Sequence, residues 1–195
     1  MINAGSRDEK DNEQGIAHFV EHLFFKGTKK RKAYHVLSRM DDVGGEMNAY
    51  TTKEETCIHT SFLKQDYERS LELIADIVFN SVFPGNEIAR EKNVILDEIN
   101  FYKDNPSESI YDDFEELVFE DQPLGKNILG TPEQLSRFTR NDIEQFVSRN
   151  YHPSEMVLSS VGDISFEKLV KLADRYFGFF NAPAKEKHRV PFAGY

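Results

Sequence analysis

Apolar residues recur along this chain at two periods, and the switching between them lays out the expected elements. Ile16, Phe19, Val20, Leu23 and Phe24 fall at i, i+3, i+4, i+7 and i+8, which predicts an amphipathic helix over residues 15–25, ending near Gly27. A second helix is predicted over 32–43, with Tyr34, Leu37, Met40 and Val43 inward and a stop at Gly44-Gly45. Residues 46–51 and 56–63 alternate with a period of two and are rich in Thr, Tyr, Ile and Phe, so they read as a hairpin turning through Lys53-Glu54-Glu55. A long helix follows over 65–79, stopped by the breaker Phe83-Pro84-Gly85. Asn86 is read as the cap of a helix reaching residue 103, closed by Asn105-Pro106, and 107–119 as an acidic helix. Thr131-Pro132-Glu133-Gln134 has the signature of a capping box, and Thr139 and Ser165 are read as caps of two later helices. Residues 156–161 read as an apolar strand and 181–187 as a linker. Strands that occur as a hairpin among long helices point to an α+β fold, an antiparallel sheet covered by helices.

Composition narrows the class. Hydrophobic residues make up 39% and charged residues 30% of 195, the balance of a globular chain long enough for a real core. The net charge of −10 argues against nucleic acid, whose phosphates need clustered Lys and Arg. The one basic run, Lys26-Gly27-Thr28-Lys29-Lys30-Arg31-Lys32, reads as a solvated loop between two helices. No apolar run approaches the roughly 20 residues of a membrane-crossing helix, so no membrane partner is expected. The first residues lack the pattern of a secretory signal. A cytoplasmic location is the simplest expectation, with periplasm or organelle open if a leader precedes Met1. Cys57, the single cysteine, lies in a strand pattern and reads as a packed thiol.

The chemistry is concentrated in the first helix. His18-Phe19-Val20-Glu21-His22 has the spacing H-x-x-E-H. Residues four apart on a helix lie one above the other, so His18 and His22 can offer two imidazoles to one metal. Glu21 falls on the same side and can reach a metal-bound water. At about 100° per residue these three centre roughly opposite the apolar stripe, a position that a merely solvated face would share. Two histidines need a third ligand, and the predicted helix over 86–103 offers Glu87, Glu91, Asp97 and Glu98. Glu91 and Glu98 are two turns apart and border the apolar line Ile88, Ile95, Ile99 and Tyr102, whereas Asp97 points about 100° away. His35, His59 and His152 read as packed, surface or turn residues.

Taken together, several segments resemble the N-terminal metal-binding domain of the pitrilysin/insulinase-type inverzincin zinc metallopeptidases. They are Gly5-Ser6-Arg7-Asp8-Glu9, the block from His18 to Thr28, Gly44-Gly45-Glu46-Met47-Asn48-Ala49-Tyr50-Thr51 with Glu55-Thr56, and the helix bearing Glu91 and Glu98. Leu129-Gly130-Thr131, Tyr151-His152-Pro153 and Val161-Gly162-Asp163 continue the match in order. The resemblance implies one Zn2+ held by His18, His22 and Glu98, with Glu21 as catalytic base. It implies that Glu91 joins Glu21 among the catalytic-site residues, supporting the site from one helix away by orienting a ligand or water. It also implies that Asn48, Ala49, Tyr50 and Thr51 form an edge strand pairing with an extended peptide substrate. It further implies a homologous C-terminal domain or partner subunit that closes a clamshell over the substrate.

On that reading, residues 1–181 are a zinc-binding peptidase domain lacking the first family strand, and 182–195 are a linker and the start of a truncated segment. The expected function is zinc-dependent endopeptidase action on extended or unfolded peptides, with this piece binding zinc and needing the second domain for efficient turnover. The alternative is a non-catalytic partner or scaffold subunit of the same family.

Overall fold

The stripe at i, i+3, i+4, i+7 and i+8 forms the helix its spacing predicts, α1 (Ile16–Phe24), and all five of its residues are completely buried. The computed structural model describes residues 1–179 together with Lys187, Arg189 and Pro191. Among them, α1 is the hub of the main apolar core, packing against the 3-10 turn Ser6–Asp8 and, more extensively, against three larger elements. One is β1 (Glu46–Thr51), which pairs antiparallel with β2 (Thr56–Ser61) in a register running from Glu46 opposite Ser61 to Thr51 opposite Thr56. The others are α4 (Gly85–Lys103) and α7 (Arg140–Asn150). α2 (Ala33–Asp41) lies against β1 and against α3 (Tyr67–Asn80). α5 (Pro106–Val118) and α6 (Pro132–Arg137) flank α4, and α8 (Phe166–Phe177) covers α3. The result is the α+β arrangement expected, a small antiparallel sheet covered by helices.

The entry to α1 is built with unusual care. Gly15 stands at φ 94°, and a Cβ there would come within 2.6 Å of the Leu129 carbonyl oxygen. Glu9, buried beneath this turn, accepts backbone N–H bonds from Gly15 (3.0 Å) on one carboxylate oxygen and from Ala17 (2.9 Å) on the other. Two donors that the first helical turn would leave bare are thereby satisfied.

Several local expectations are corrected. In α2 the inward pair is Val36 and Met40, while Tyr34 and Leu37 are exposed. Both readings pass through Met40, and the i, i+4 line through Val36 is the one facing β1 and α3. α4 starts one residue earlier than expected, with Pro84 before it, so Asn86 lies inside the first turn instead of capping it. Residues 156–161 form no strand. Met156 makes a single bridge to Ile2, and Val157 exchanges backbone bonds with Met1 at 2.9 Å. Beyond that point no neighbouring strand runs alongside among the described residues, and Leu158 and Val161 are exposed.

The basic loop is less solvated than its composition suggests. Arg31 makes a two-pronged contact to Glu72 at 2.7 and 2.8 Å and reaches the buried Asp76, which also accepts from Thr28. Cys57 is packed as expected, and Thr139 closes a full capping box with Asp142. Thr131 caps α6, but the Gln134 side chain turns to Gln14 and Asp11 instead of back to the cap. The linker expected at 181–187 lies outside the described residues except for Lys187.

Candidate metal centre

Two helices bring the site together. α1 carries His18, Glu21 and His22, α4 carries Glu91 and Glu98, and the packing of one helix on the other sets their separation. His18 Nε2 and His22 Nε2 each lie 3.7 Å from Glu98 Oε2, and one ligand atom from each of the three residues falls within 4.8 Å of the others. These gaps are too long for hydrogen bonds. They suit an ion, since tetrahedral arms of about 2.0–2.2 Å hold ligand atoms roughly 3.3–3.6 Å apart. The two rings meet edge to face with centroids 4.6 Å apart.

The electrostatics favour a cation between them. Burial, reinforced by the neighbouring His22, pushes the His18 imidazole down to about 3, so the ring is neutral with a lone pair to give. Burial raises the Glu98 carboxyl above its ordinary range, with His22 opposing. Glu21 is also raised, chiefly by burial, with Thr51 and His22 opposing and Glu98 adding to the shift. Buried carboxyls that resist ionisation, beside the neutral His18 ring, are relieved by a bound divalent ion. Two imidazoles and a carboxylate fit zinc and leave one of its four positions open.

Glu91 sits behind His22 instead of among the converging atoms. Its Oε2 lies 3.1 Å from His22 Nδ1 and its Oε1 lies 2.8 Å from Lys26 Nζ. Lys26 is a residue the sequence reading missed, absorbed into the basic run. The available signal was its spacing, one more four-residue step along the line of His18 and His22. Asp97 is exposed, as expected, and Glu87 is engaged with Arg90. His35 and His59 are exposed, and His152 caps the turn Pro153–Glu155 through Ser154.

Asn48, Ala49, Tyr50 and Thr51 lie in β1, whose side chains at Met47, Ala49 and Thr51 turn inward. Among the described residues β1 pairs only with β2, so its other edge has no strand beside it. The Ala49 N–H points to that edge and is met by the Asn48 side-chain oxygen at 2.9 Å.

Residues 1–132 match the model of the insulinase family, peptidase family M16, and residues 137–195 match that of the peptidase M16 inactive domain. The chain belongs to the M16 family. An uncharacterized zinc protease of Rickettsia bellii is 44% identical to this M16 chain over 177 residues, 91% of the chain and 43% of that protein. The mitochondrial-processing peptidase subunit beta of Saccharomyces cerevisiae is 36% identical over 178 residues, 91% and 38% of the respective lengths. A solved protease from Helicobacter pylori superposes with a TM-score of 0.89 at 28% identity, covering 98% of this chain and 46% of that one. This M16 chain therefore spans under half the length of the curated relatives it matches.

Proposed function

We propose that this chain is the metal-holding part of a zinc-dependent endopeptidase acting on extended or unfolded peptides. The observation that carries the reading is the convergence of His18, His22 and Glu98 on one point beside Glu21. M16 membership and relatives named zinc proteases support it. His18, His22 and Glu98 would hold one Zn2+, which when bound would supply an acidified water and a Lewis acid for the scissile carbonyl.

The remaining roles belong to the chain itself. Glu21, its carboxyl raised by burial, is matched to accept a proton from the attacking water and return it to the departing amine. Glu91 Oε2, 3.1 Å from His22 Nδ1, is placed to accept an N–H from that nitrogen, which would leave Nε2 free to bind. The open edge of β1 offers backbone groups to an extended peptide, with Asn48, Ala49, Tyr50 and Thr51 as the pairing strand. Residues 1–181 are proposed as the zinc-binding domain, with efficient turnover requiring a homologous second domain or subunit that closes over the substrate. The match of residues 137–195 to the inactive-domain model supports such a two-part plan.

The deciding experiment measures zinc stoichiometry of the parent and of Glu21→Gln, then cleavage of unfolded peptides by each when joined to the homologous second half. One zinc in both, with cleavage in the parent only, is the expected result. No stoichiometric zinc in the parent would end the proposal. Zinc in both with no cleavage in either would favour the non-catalytic scaffold.

A further inference from the structure

Lys26, Glu91 and His22 form a chain of contacts in which each carboxylate oxygen has its own partner, Oε1 the ammonium at 2.8 Å and Oε2 the ring at 3.1 Å. Resting on the metal-holding role proposed above, we infer that Lys26 is a positioning residue that aims Glu91 and thereby fixes the His22 ring in its ligand form.

The argument begins with burial. Glu91 is nearly inaccessible, and a carboxylate in such a place is costly unless both oxygens are engaged. Without Lys26, Oε1 would lack its ion-pair partner, and the group would be free to turn or to draw in water. A neutral imidazole has one N–H. An acceptor held at Nδ1 places the proton there and leaves the lone pair on Nε2, the atom 3.7 Å from Glu98.

The two ligand rings are unequal in this respect. His18 Nδ1 is buried with no hydrogen-bond partner, so control of ring form is exerted at His22. Lys26 is itself well placed for the task. It follows α1 one turn past His22, its N–H bonded to the Leu23 carbonyl. The next residues are pinned by bridges from Gly27 to Lys32 and from Thr28 to Ser81. The backbone beneath the ammonium is thus held from both sides.

The sign of the effect separates this from simple charge proximity. A lysine acting only as a nearby positive charge repels a divalent ion, so its removal would tighten metal binding. A lysine that positions Glu91 must do the opposite.

The test uses the full chain, with Lys26→Met, Lys26→Gln and Lys26→Arg. Zinc affinity is measured by chelator competition, and the His22 tautomer by imidazole nitrogen shifts in the metal-free protein. Removing the ammonium should weaken zinc binding about 10–100-fold and mix the two tautomers, while Lys26→Arg should stay within about threefold. Thermal melting identifies which variants are folded, and either neutral variant suffices. Unchanged or tighter zinc binding with an unaltered tautomer would overturn the inference. If the parent binds no zinc, the metal reading fails, and the tautomer shift alone decides whether Lys26 sets the ring.

Discussion

Glu9 and Ala17 are joined by a 2.9 Å hydrogen bond that anchors the first turn of α1 to a buried carboxyl. Burial raises that carboxyl to about 8, against the pull of the Ala17 and Gly15 N–H groups. A folded value above the ordinary 4.5 means that Glu9 contributes stability fully below about pH 4.5 and loses it as pH rises through about 8. Glu9→Gln should flatten this alkaline limb while costing about 1–3 kcal/mol near neutrality, because one N–H then faces an amide NH2. Urea unfolding of parent and variant between pH 5 and 9 would reveal both.

His18 acts in the other direction. Its folded value near 3 lies below the ordinary 6.5, so its contribution is present above about 6.5 and is lost as pH falls toward 3. Metal-free protein should therefore lose stability on acidification through that window. His18→Leu, which cannot take up the proton, should show a shallower slope when both are unfolded across pH 4–7.

Glu98→Gln should separate ligation from folding. Its side chain is about one-third exposed and makes no short contact to the histidines, so the melting temperature of the metal-free protein should move by no more than a degree or two. Zinc affinity should drop by more than the roughly 10–100-fold typical of an outer partner. Equal affinity in variant and parent would remove Glu98 from the ligand set.

Gly15→Ala combines a positive φ with a Cβ driven to within 2.6 Å of a backbone carbonyl. A loss of about 2 kcal/mol or more is expected. Melting should fall by roughly 4–8 °C. Because Gly15 introduces the metal-bearing helix, zinc affinity should fall with it.

The open edge of β1 makes a directional prediction about substrate. In the ladder with β2, the outward backbone groups belong to Met47, Ala49 and Thr51. Peptides N-methylated at alternate residues should fall into two sets, one retaining affinity and the other losing it at least tenfold. Equal losses in both sets, measured by competition, would count against strand pairing.

What could be read from the sequence follows the range of the forces involved. The histidine pair, the α1 stripe, the hairpin and the caps at Thr139 and Ser165 depend on neighbours within a few residues, and local pattern captures them. The inward face of α2 depends on what packs above it, so Leu37 and Val36 could not be ranked by periodicity alone. Residues 156–161 have strand composition, but a strand is defined by a partner, and composition carries none. Arg31 and Lys26 read as solvent-facing because the carboxylates that hold them, Glu72, Asp76 and Glu91, come from helices far along the chain.

The proposed ligands are divided between α1 and α4, and neither helix alone completes the set. An unfolded chain would therefore release its ion, making chelation and denaturation two routes to the same end. Raising free zinc a hundredfold above its dissociation constant should add about 2.7 kcal/mol to the native state. The midpoint of thermal unfolding, followed against buffered zinc, then becomes a measure of how well these two helices dock.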